Sequence, residues 1–249
     1  MSVTVDVTLN DFENVYDFYR EHRQPVLKAK SMYAVLAAKY RPQVRYETGA
    51  RQLIRHLRRE GCVLVISANH VRETDPFVLA ATGFLSAVRP HIGHVRVLAK
   101  DPLFVDPEQR RKIDLLGGIP VFRPKDHGVR ETMVPGRRMI DICVERMVDG
   151  DWIAVFAEGT CNLTDPAHVQ PLGSGMGHIV KGVIGAGRRV ALLSIGIAYR
   201  ENTDRGPAVM INRPIELTAD DAKTPAAATR LAAADLQRAV DVAWDRAHP

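Results

Sequence analysis

The sequence predicts an α/β protein with a largely parallel central sheet flanked by helices and an N-terminal helical pair. Short apolar runs of strand length, such as residues 62–67, 152–156 and 190–199, recur along the chain, and segments with helical spacing separate them. Parallel strands need crossover connections and burial on both faces, so this alternation favours a parallel sheet. In the first forty residues, by contrast, aromatic and aliphatic side chains recur only at helical spacing.

The predicted elements follow in order along the chain. Apolar residues from Phe12 to Tyr19 form one helical face, and Pro25 can open a second helix that ends at Arg41-Pro42. Further helices are predicted over 50–59, 75–85, 108–116 and 134–148, after Ser174, and in the alanine-rich end that Thr224-Pro225 caps. Strands are predicted over 62–67, 95–99, 119–122, 152–156, 190–199 and 208–211.

Length and composition indicate one globular unit. The 249 residues are 46% hydrophobic and 25% charged, as in ordinary globular domains. We expect a single domain over 1–249, with the helical pair in 1–42 and the α/β core in 43–249. No apolar run approaches the roughly 18 residues that a membrane-spanning helix needs. Residues 1–6 have neither a basic start nor an apolar core, so we expect a cytoplasmic protein without a secretory signal.

Positive charge is concentrated near the N-terminus. Residues 20–59 contain eleven Lys or Arg against two Glu, a local charge of +9, which leaves −4 for the rest of a chain with a net charge of +5. Such a block suggests an anionic partner, either nucleic acid or an anionic lipid surface. The alternative is a solvated basic face without a partner.

The cysteines are not arranged for a disulfide framework or a structural zinc site. Cys62, Cys143 and Cys161 lie far apart, with no Cys-x-x-Cys spacing and no Cys/His cluster. We therefore expect buried thiols and no metal.

Polar residues that could carry chemistry follow the first, third and fourth predicted strands. His70 and Asp75 follow the first strand, Arg123 the third, and Glu158 with Gly159 the fourth. Active sites in parallel sheets lie at the carboxyl ends of the strands, so we expect these residues to converge.

The spacing of His70 and Asp75 suits a general base. A neutral imidazole can take a proton from a hydroxyl, while a carboxylate on its other nitrogen fixes the tautomer and stabilises the imidazolium. The alternative is that Asp75 only caps the following helix and that His70 is an ordinary loop residue.

Four ordered blocks of the sequence resemble the motifs of the glycerolipid acyltransferase superfamily, whose prototype is 1-acylglycerol-3-phosphate acyltransferase. The blocks are Asn69-His70 with Asp75, then 118–123, 156–160 and 190–197. Lys181-Gly182 also matches a basic-glycine pair of this family, and the resemblance covers about residues 44–200.

The resemblance implies an O-acyltransferase that moves a fatty acyl group from acyl-CoA or acyl carrier protein to a hydroxyl of a lysophospholipid or glycerol phosphate. The acyl donor is then a co-substrate, and the reaction uses no further cofactor, no metal and no covalent acyl-enzyme. By this resemblance His70 is the base and Asp75 orients it. The residues implied in substrate binding are Arg123, Glu158, Gly159, Thr160 and, for an anionic group, Lys181.

Several residues depart from the family pattern. Ala157, Ala191 and Ser194 replace usual prolines, and Cys161 with Asn162 stands where Arg and Ser are common. The missing cation at position 161 removes one partner for a phosphate, so a glycolipid or a specialised metabolite is an alternative acceptor. A non-catalytic protein that binds anionic lipid or nucleic acid is the alternative from another class. The resemblance favours the lipid, and we expect no nucleic acid partner.

The resemblance and the basic segment together imply a peripheral enzyme on the inner face of the membrane. Each basic residue near an anionic leaflet contributes on the order of 1 kcal/mol to binding. Apolar side chains that could enter the headgroup region are Phe12, Tyr16, Tyr19, Val26, Leu27 and Tyr33. The alternative is that these side chains cover the α/β core.

Overall fold

The computed structural model describes residues 5–200 and 205–249. The helices are α1 (Phe12–Glu21), α2 (Val26–Tyr40), α3 (Ala50–Arg59), α4 (Asp75–Leu85), α5 (Pro107–Leu115), α6 (Pro124–His127), α7 (Val129–Val148), α8 (Gly175–Gly185) and α9 (Pro225–Ala247). The strands are β1 (Gln43–Tyr46), β2 (Val63–Ala68), β3 (Val95–Lys100), β4 (Gly118–Val121), β5 (Trp152–Phe156), β6 (Val190–Ala198), β7 (Ala208–Ile211) and β8 (Ile215–Leu217). The expectation that the N-terminus carries no secretory signal concerns residues 1–6, and residues 1–4 of that segment lie outside the described residues.

The strands form one mixed sheet in the order β1-β7-β6-β2-β5-β3-β4, with β8 also paired to β6. Strands β6, β2, β5, β3 and β4 run parallel to one another, while β7 and β8 are antiparallel to β6. In the central register Ser67 of β2 lies between Val155 of β5 and Ser194 of β6. The predicted α/β class with a mostly parallel sheet is therefore confirmed.

The core lies on both faces of this sheet. Every residue of β2 and β6 is buried, as expected for central strands covered by helices. Helix α9 packs on β6, and Thr224 accepts a hydrogen bond from the Ala227 backbone N–H at 3.2 Å, which confirms the predicted cap.

Two strands were not predicted, and both are short. Strand β1 has four residues with partly exposed side chains and, among the described strands, pairs only with β7 at the edge of the sheet. Strand β8 has three residues. Segments this short and polar carry too little hydrophobic periodicity to be recognised, because their pairing depends on a neighbour far away in sequence.

The region after β4 also differs from the prediction. The short helix α6 was not predicted, and α7 begins at Val129 rather than at residue 134. Pro135 lies inside α7, where it is buried. Proline lacks an N–H donor and is most common in the first turn of a helix. The sequence therefore predicts a helix that begins next to Pro135, several residues after its start in the structure.

The N-terminal helical pair is present and covers the core. Helix α1 packs on α7 and α2 packs on α4. The side chains of Tyr16, Tyr19 and Tyr33 are only 0%, 1% and 5% exposed. The prediction that these three tyrosines enter a membrane is therefore wrong, because their rings already fill the interior. Val26 and Leu27 are exposed, while Phe12 packs partly against the core.

The helical pair is also held by polar contacts. The buried guanidinium of Arg146 donates to the backbone oxygens of Tyr19 and Arg20 at the end of α1, at 2.8 and 2.5 Å, and to Asp151. Gln24, in the link between the two helices, donates to the backbone oxygen of Leu115 at 2.8 Å. Within the described ranges, no helix is both long and apolar enough to cross a membrane.

Candidate active site

The carboxyl ends of the parallel strands meet at one edge of the sheet, and the predicted residues lie there. His70 follows β2, Lys100 ends β3, Arg123 follows β4, Glu158 follows β5 and Tyr199 follows β6. Parallel sheets place their reactive groups at this edge, because the connections that leave the strands are free to vary there.

His70 and Asp75 form a close pair. Nδ1 of His70 lies 3.0 Å from Oδ2 of Asp75; the histidine side chain is 17% exposed and the aspartate side chain is fully buried. The imidazole ring also lies against Phe156 of β5, with ring centroids 4.6 Å apart. These contacts hold Nδ1 of the ring against the buried Asp75 and leave Nε2 facing the site.

The Asp75 carboxylate is held as an acceptor by its surroundings. Oδ2 accepts the backbone N–H groups of Val71 and Arg72 at 2.6 and 2.7 Å, and Oδ1 accepts the hydroxyl of Tyr199 at 2.5 Å. The carboxylate thus faces the His70 loop, and no described contact shows it capping α4, the helix that it begins. These donors fix the orientation of the buried carboxylate beside the His70 ring.

Asn69 fixes the start of the loop. Its buried side-chain amide donates to the Ile197 backbone oxygen at 2.9 Å and accepts from the Ile197 backbone N–H at 2.7 Å. These two hydrogen bonds continue the pairing of β2 with β6 for one residue beyond the strand. His70 therefore leaves the sheet from a fixed point.

Glu158 binds the backbone of the same loop. Oε1 accepts the His70 backbone N–H at 2.8 Å, and Oε2 accepts the Gln170 backbone N–H at 3.0 Å. Burial raises the pKa of Glu158, while these two hydrogen bonds oppose the rise. In this structure Glu158 positions the loop that carries His70, and its predicted contact with an acceptor stays a prediction.

Arg123 connects the end of β4 to the turn after β5. Its Nη1 donates to the Gly159 backbone oxygen at 3.2 Å, and its Nε donates to Asp126 at 2.7 Å. Gly159 has a φ of +68°, a left-handed conformation that favours glycine. Thr160 follows and is exposed. Together with the bond from His70 to Glu158, these contacts join all three predicted strand ends.

Lys181 lies apart from this group. It is exposed on α8, in a groove of about 920 Å³ between α7 and α8, whose lining includes Arg137 and His178 but neither His70 nor Asp75. It forms no hydrogen bond or ion pair with any residue that the structure describes. Its predicted role with an anionic group stays a prediction.

Three residues of the site were not assigned a role from the sequence. Tyr199 binds Asp75, and the half-buried Cys161 has its Sγ 3.2 Å from Nε2 of His70. Lys100 is close enough to Cys161 that its charge lowers the pKa of the thiol, although burial and the charge of Asp75 raise that pKa more. Both Lys100 and Tyr199 stand at predicted strand ends, and that position was the signal available in the sequence.

A metal site is not evident in the described part of the chain. No group of three or more His, Cys, Asp or Glu side chains there is arranged to hold a metal ion. The arrangement around His70 is instead that of a buried carboxylate, an imidazole and a polar group in line, which is the order of parts in acyl-transfer sites.

Comparison with known proteins agrees with this class. The family model described as Acyltransferase matches residues 50–197, from the start of α3 to nearly the end of β6. The match spans more than half of the chain and includes His70, Asp75, Arg123 and Glu158. The chain therefore belongs to the acyltransferase family, within the glycerolipid acyltransferase superfamily. No curated protein matches the chain.

Proposed function

We propose that this acyltransferase moves a fatty acyl group from acyl-CoA or acyl carrier protein to a hydroxyl of a lysophospholipid or glycerol phosphate, as 1-acylglycerol-3-phosphate acyltransferases do. The observation that carries the proposal is the 3.0 Å contact between His70 and the buried Asp75 at the carboxyl edge of the sheet, in a chain of this family. Both donors carry the acyl group as a thioester.

His70 is the general base in this proposal. Asp75 accepts the backbone N–H groups of Val71 and Arg72 and lies beside Nδ1 of His70, so in this proposal Nδ1–H donates to Asp75 and Nε2 presents a lone pair to the site. Nε2 takes the proton of the acceptor hydroxyl as its oxygen attacks the thioester, and the proton then passes to the departing thiolate. Asp75 stabilises the imidazolium that forms between these steps.

The acceptor is held by cations at the same edge. Arg123 is half-buried and shares its guanidinium between Asp126 and the Gly159 carbonyl, and Lys100 is exposed at the end of β3. Both can reach an anionic headgroup, which favours a phosphate-bearing acceptor. Cys161 at a position where the family often has Arg favours the second candidate, an uncharged glycolipid or specialised metabolite.

A panel of acceptors decides between these candidates. Purified protein is mixed with palmitoyl-CoA and, in turn, lysophosphatidic acid, other lysophospholipids, glycerol 3-phosphate and a glycolipid, and free CoA is measured. We expect acceptor-dependent release of CoA with a phosphate-bearing lipid. Release with the glycolipid alone would assign the second candidate, and no release with any acceptor and either donor would contradict acyl transfer.

Replacing Arg123 with Ala is expected to raise the KM for a phosphate-bearing acceptor while the KM for the acyl donor stays unchanged. The guanidinium stabilises the bound headgroup, so its loss weakens acceptor binding. Steady-state kinetics with each substrate varied in turn measures this. Lys125→Ala, which removes an exposed cation two residues away, is the matched control. A raised donor KM with an unchanged acceptor KM would move Arg123 to the CoA side.

We also propose that α2 brings the enzyme to an anionic membrane. Leu27 and Val35, which are 81% and 61% exposed, lie eight residues apart and so on the same outward face of the helix. Lys28 and Lys39 are exposed beside them. Charge attracts such a face to anionic lipid and the apolar side chains enter the headgroup region.

Binding to anionic vesicles is expected to be strong at low salt and to fall as salt rises, since the Debye length is only about 8 Å at physiological ionic strength. Val35→Glu is expected to weaken binding further, whereas Val242→Glu, at an exposed valine of α9, leaves it unchanged. Vesicle co-sedimentation measures both. Equal binding to neutral and anionic vesicles, or no binding to either, would contradict docking through α2.

A further inference from the structure

The groove of about 920 Å³ between α7 and α8 has no part in the reaction proposed for His70 and Asp75. Helix α7 follows β4 and α8 follows β5, so both begin near the carboxyl edge of the sheet, and both end where the next strand begins. The two helices therefore run in the same direction and pack on each other. The groove between them leads away from the edge that carries His70.

One end of the groove adjoins the candidate active site. Ser174 lines the groove where α8 begins. The residue before it, Gly173, donates its backbone N–H to the Ala157 backbone oxygen at 2.9 Å. Ala157 is followed by Glu158, whose carboxylate accepts the His70 backbone N–H at 2.8 Å. A ligand whose reactive end lies at His70 can therefore extend into the groove.

The groove combines apolar side chains with cations. Ile140 and Val144 of α7 are partly buried and give its wall an apolar part. Arg137, His178 and Lys181 also line it, and all three are exposed. Their side chains form no hydrogen bond or ion pair with any residue that the structure describes. Guanidinium and ammonium groups that have no partner in the protein are suited to bind an anion.

The acidic side chains of the groove do not cancel this charge. Glu145 is paired with Arg20 at 2.8 Å and with Arg138 at 3.4 Å, and Arg138 is also paired with Asp17 at 2.6 Å. These two acids and two arginines neutralise one another. Among the described residues of the lining, Asp141 is then the acid that faces the free cations, and the groove keeps a positive charge.

Two glycines widen the groove. A Cβ atom at Gly136 of α7 or at Gly175 of α8 would have no neighbouring atom within 4 Å, and neither residue has a left-handed φ. Packing and backbone conformation therefore do not require glycine at either position. Glycine also weakens the interior of a helix. What these residues provide is open space along the groove.

We propose that this groove binds the phosphopantetheine arm of the acyl donor, the part that acyl-CoA and acyl carrier protein share. The proposal rests on the proposed acyl transfer and gives its donor a place. Arg137 and Lys181 bind the phosphate, and the methylene and dimethyl groups of the arm pack against Ile140 and Val144. The thioester then lies at the carboxyl edge, beside His70.

The length of the arm suits this path. An extended phosphopantetheine spans about 15 Å from its sulfur to its phosphorus, from ordinary bond lengths. Ser174 and Lys181 are seven residues apart on α8, so the helix carries the path about 10 Å away from the sheet edge. The rest of the distance is the gap between the start of α8 and His70, which the hydrogen bonds of Glu158 bridge.

The groove also lies on the face of the sheet away from α2. Helix α4 connects β2 to β3, whereas α7 and α8 connect β4 to β5 and β5 to β6, in the opposite direction across the sheet. Right-handed crossovers then place α4 and its partner α2 on one face and α7 with α8 on the other. With α2 on a membrane, the groove opens to the water from which a soluble donor arrives.

Kinetics with three donors tests the role of the cations. Replacing Arg137 and Lys181 together with Ala is expected to raise the KM for palmitoyl-CoA and for palmitoyl-acyl carrier protein about tenfold or more, with the acceptor KM unchanged. Palmitoyl-pantetheine, which lacks the phosphate, is expected to give the same KM with both proteins. Arg130→Ala, at an exposed cation of α7 outside the lining, is the matched control. A rise for one phosphate donor alone would support the groove and identify that donor.

A steric variant tests the path of the arm. Gly136→Leu is expected to raise the KM for palmitoyl-CoA about tenfold, because the added side chain occupies the groove. Gly185→Leu, at a second glycine with open space but outside the lining, is expected to leave it unchanged. Thermal unfolding checks that both variants fold. An unchanged donor KM in a folded Gly136→Leu would contradict this path.

Binding of CoA itself gives a measurement that needs no turnover. Calorimetric titration is expected to show CoA binding about tenfold more weakly to the double variant Arg137→Ala/Lys181→Ala than to the parent. An unchanged donor KM and CoA affinity in that variant, or a raised acceptor KM alone, would overturn the groove as the donor site and leave the proposed function intact. No release of CoA by the parent with any acceptor and either donor would overturn the proposed function and this role of the groove with it.

Discussion

Replacing His70 with Ala is expected to lower the rate of acyl transfer by about 10²- to 10⁴-fold, which is the usual contribution of a general base. The fold is expected to persist, because the backbone N–H that binds Glu158 remains and the side chain is already 17% exposed. Turnover measured by CoA release, with circular dichroism as the check on folding, gives the result.

The chain offers a matched control for this substitution. His94 lies 3.3 Å from Asp151 in a second His–Asp pair, and both residues precede strands, so the pair is at the opposite edge of the sheet. His94→Ala is expected to leave turnover unchanged. Full turnover by a folded His70→Ala would remove His70 from the reaction.

Replacing Asp75 with Asn is expected to reduce turnover by a similar factor, about 10²- to 10⁴-fold. An amide presents one oxygen and one NH₂ group, so it no longer favours the tautomer with the proton on Nδ1 and no longer stabilises the imidazolium. It also leaves buried donors without an acceptor, at about 1–3 kcal/mol each, so the free energy of unfolding is expected to fall. Kinetics and urea unfolding measure the two effects.

Tyr199→Phe separates these effects. It removes the hydroxyl that binds Oδ1 of Asp75 and keeps the ring on which Arg72 stacks at 3.9 Å. The carboxylate remains, so we expect a loss of turnover much smaller than that of Asp75→Asn. Equal losses in the two variants would assign Asp75 a role in holding the loop alone, and a parent-like Asp75→Asn would remove it from the mechanism.

Much of the fold could be predicted because its central strands are local apolar runs. Strands β2, β5 and β6 are buried on both faces and continuous in sequence, and the helices between them have their own periodicity. The pair of His70 and Asp75 could also be predicted, since the two residues are only five positions apart in the sequence. Strands β1 and β8 were missed because their pairing partners, not their composition, determine their structure.

The contacts that complete the site could not be predicted, because they join distant parts of the chain. Cys161 and His70 are 91 residues apart, and Tyr199 and Asp75 are 124 residues apart. Glu158 was expected to face a substrate, and only the folded chain shows its oxygens on two backbone N–H groups. The order of strands in the sheet creates these contacts.

The surface of the basic segment, residues 20–59, could also be predicted only in part. Its charge could be counted, and its lysines and arginines do lie mostly at the surface. Which apolar side chains accompany them to the surface depends on packing. The ring of Tyr33 packs so closely against Gly83 of α4 that a Cβ atom at position 83 would lie 3.4 Å from it. Leu27, by contrast, faces solvent. Helical spacing alone does not distinguish the two faces of α2.

The most direct test of the proposed chemistry is a mass balance with the parent enzyme and His70→Ala. Palmitoyl-CoA and a lysophospholipid are supplied together, and free CoA and the acylated lipid are measured in the same samples. We expect equal amounts of CoA and acylated lipid from the parent and almost none from His70→Ala. Release of CoA without acylated lipid, or equal product from both proteins, would contradict His70-catalysed transfer to a lipid hydroxyl.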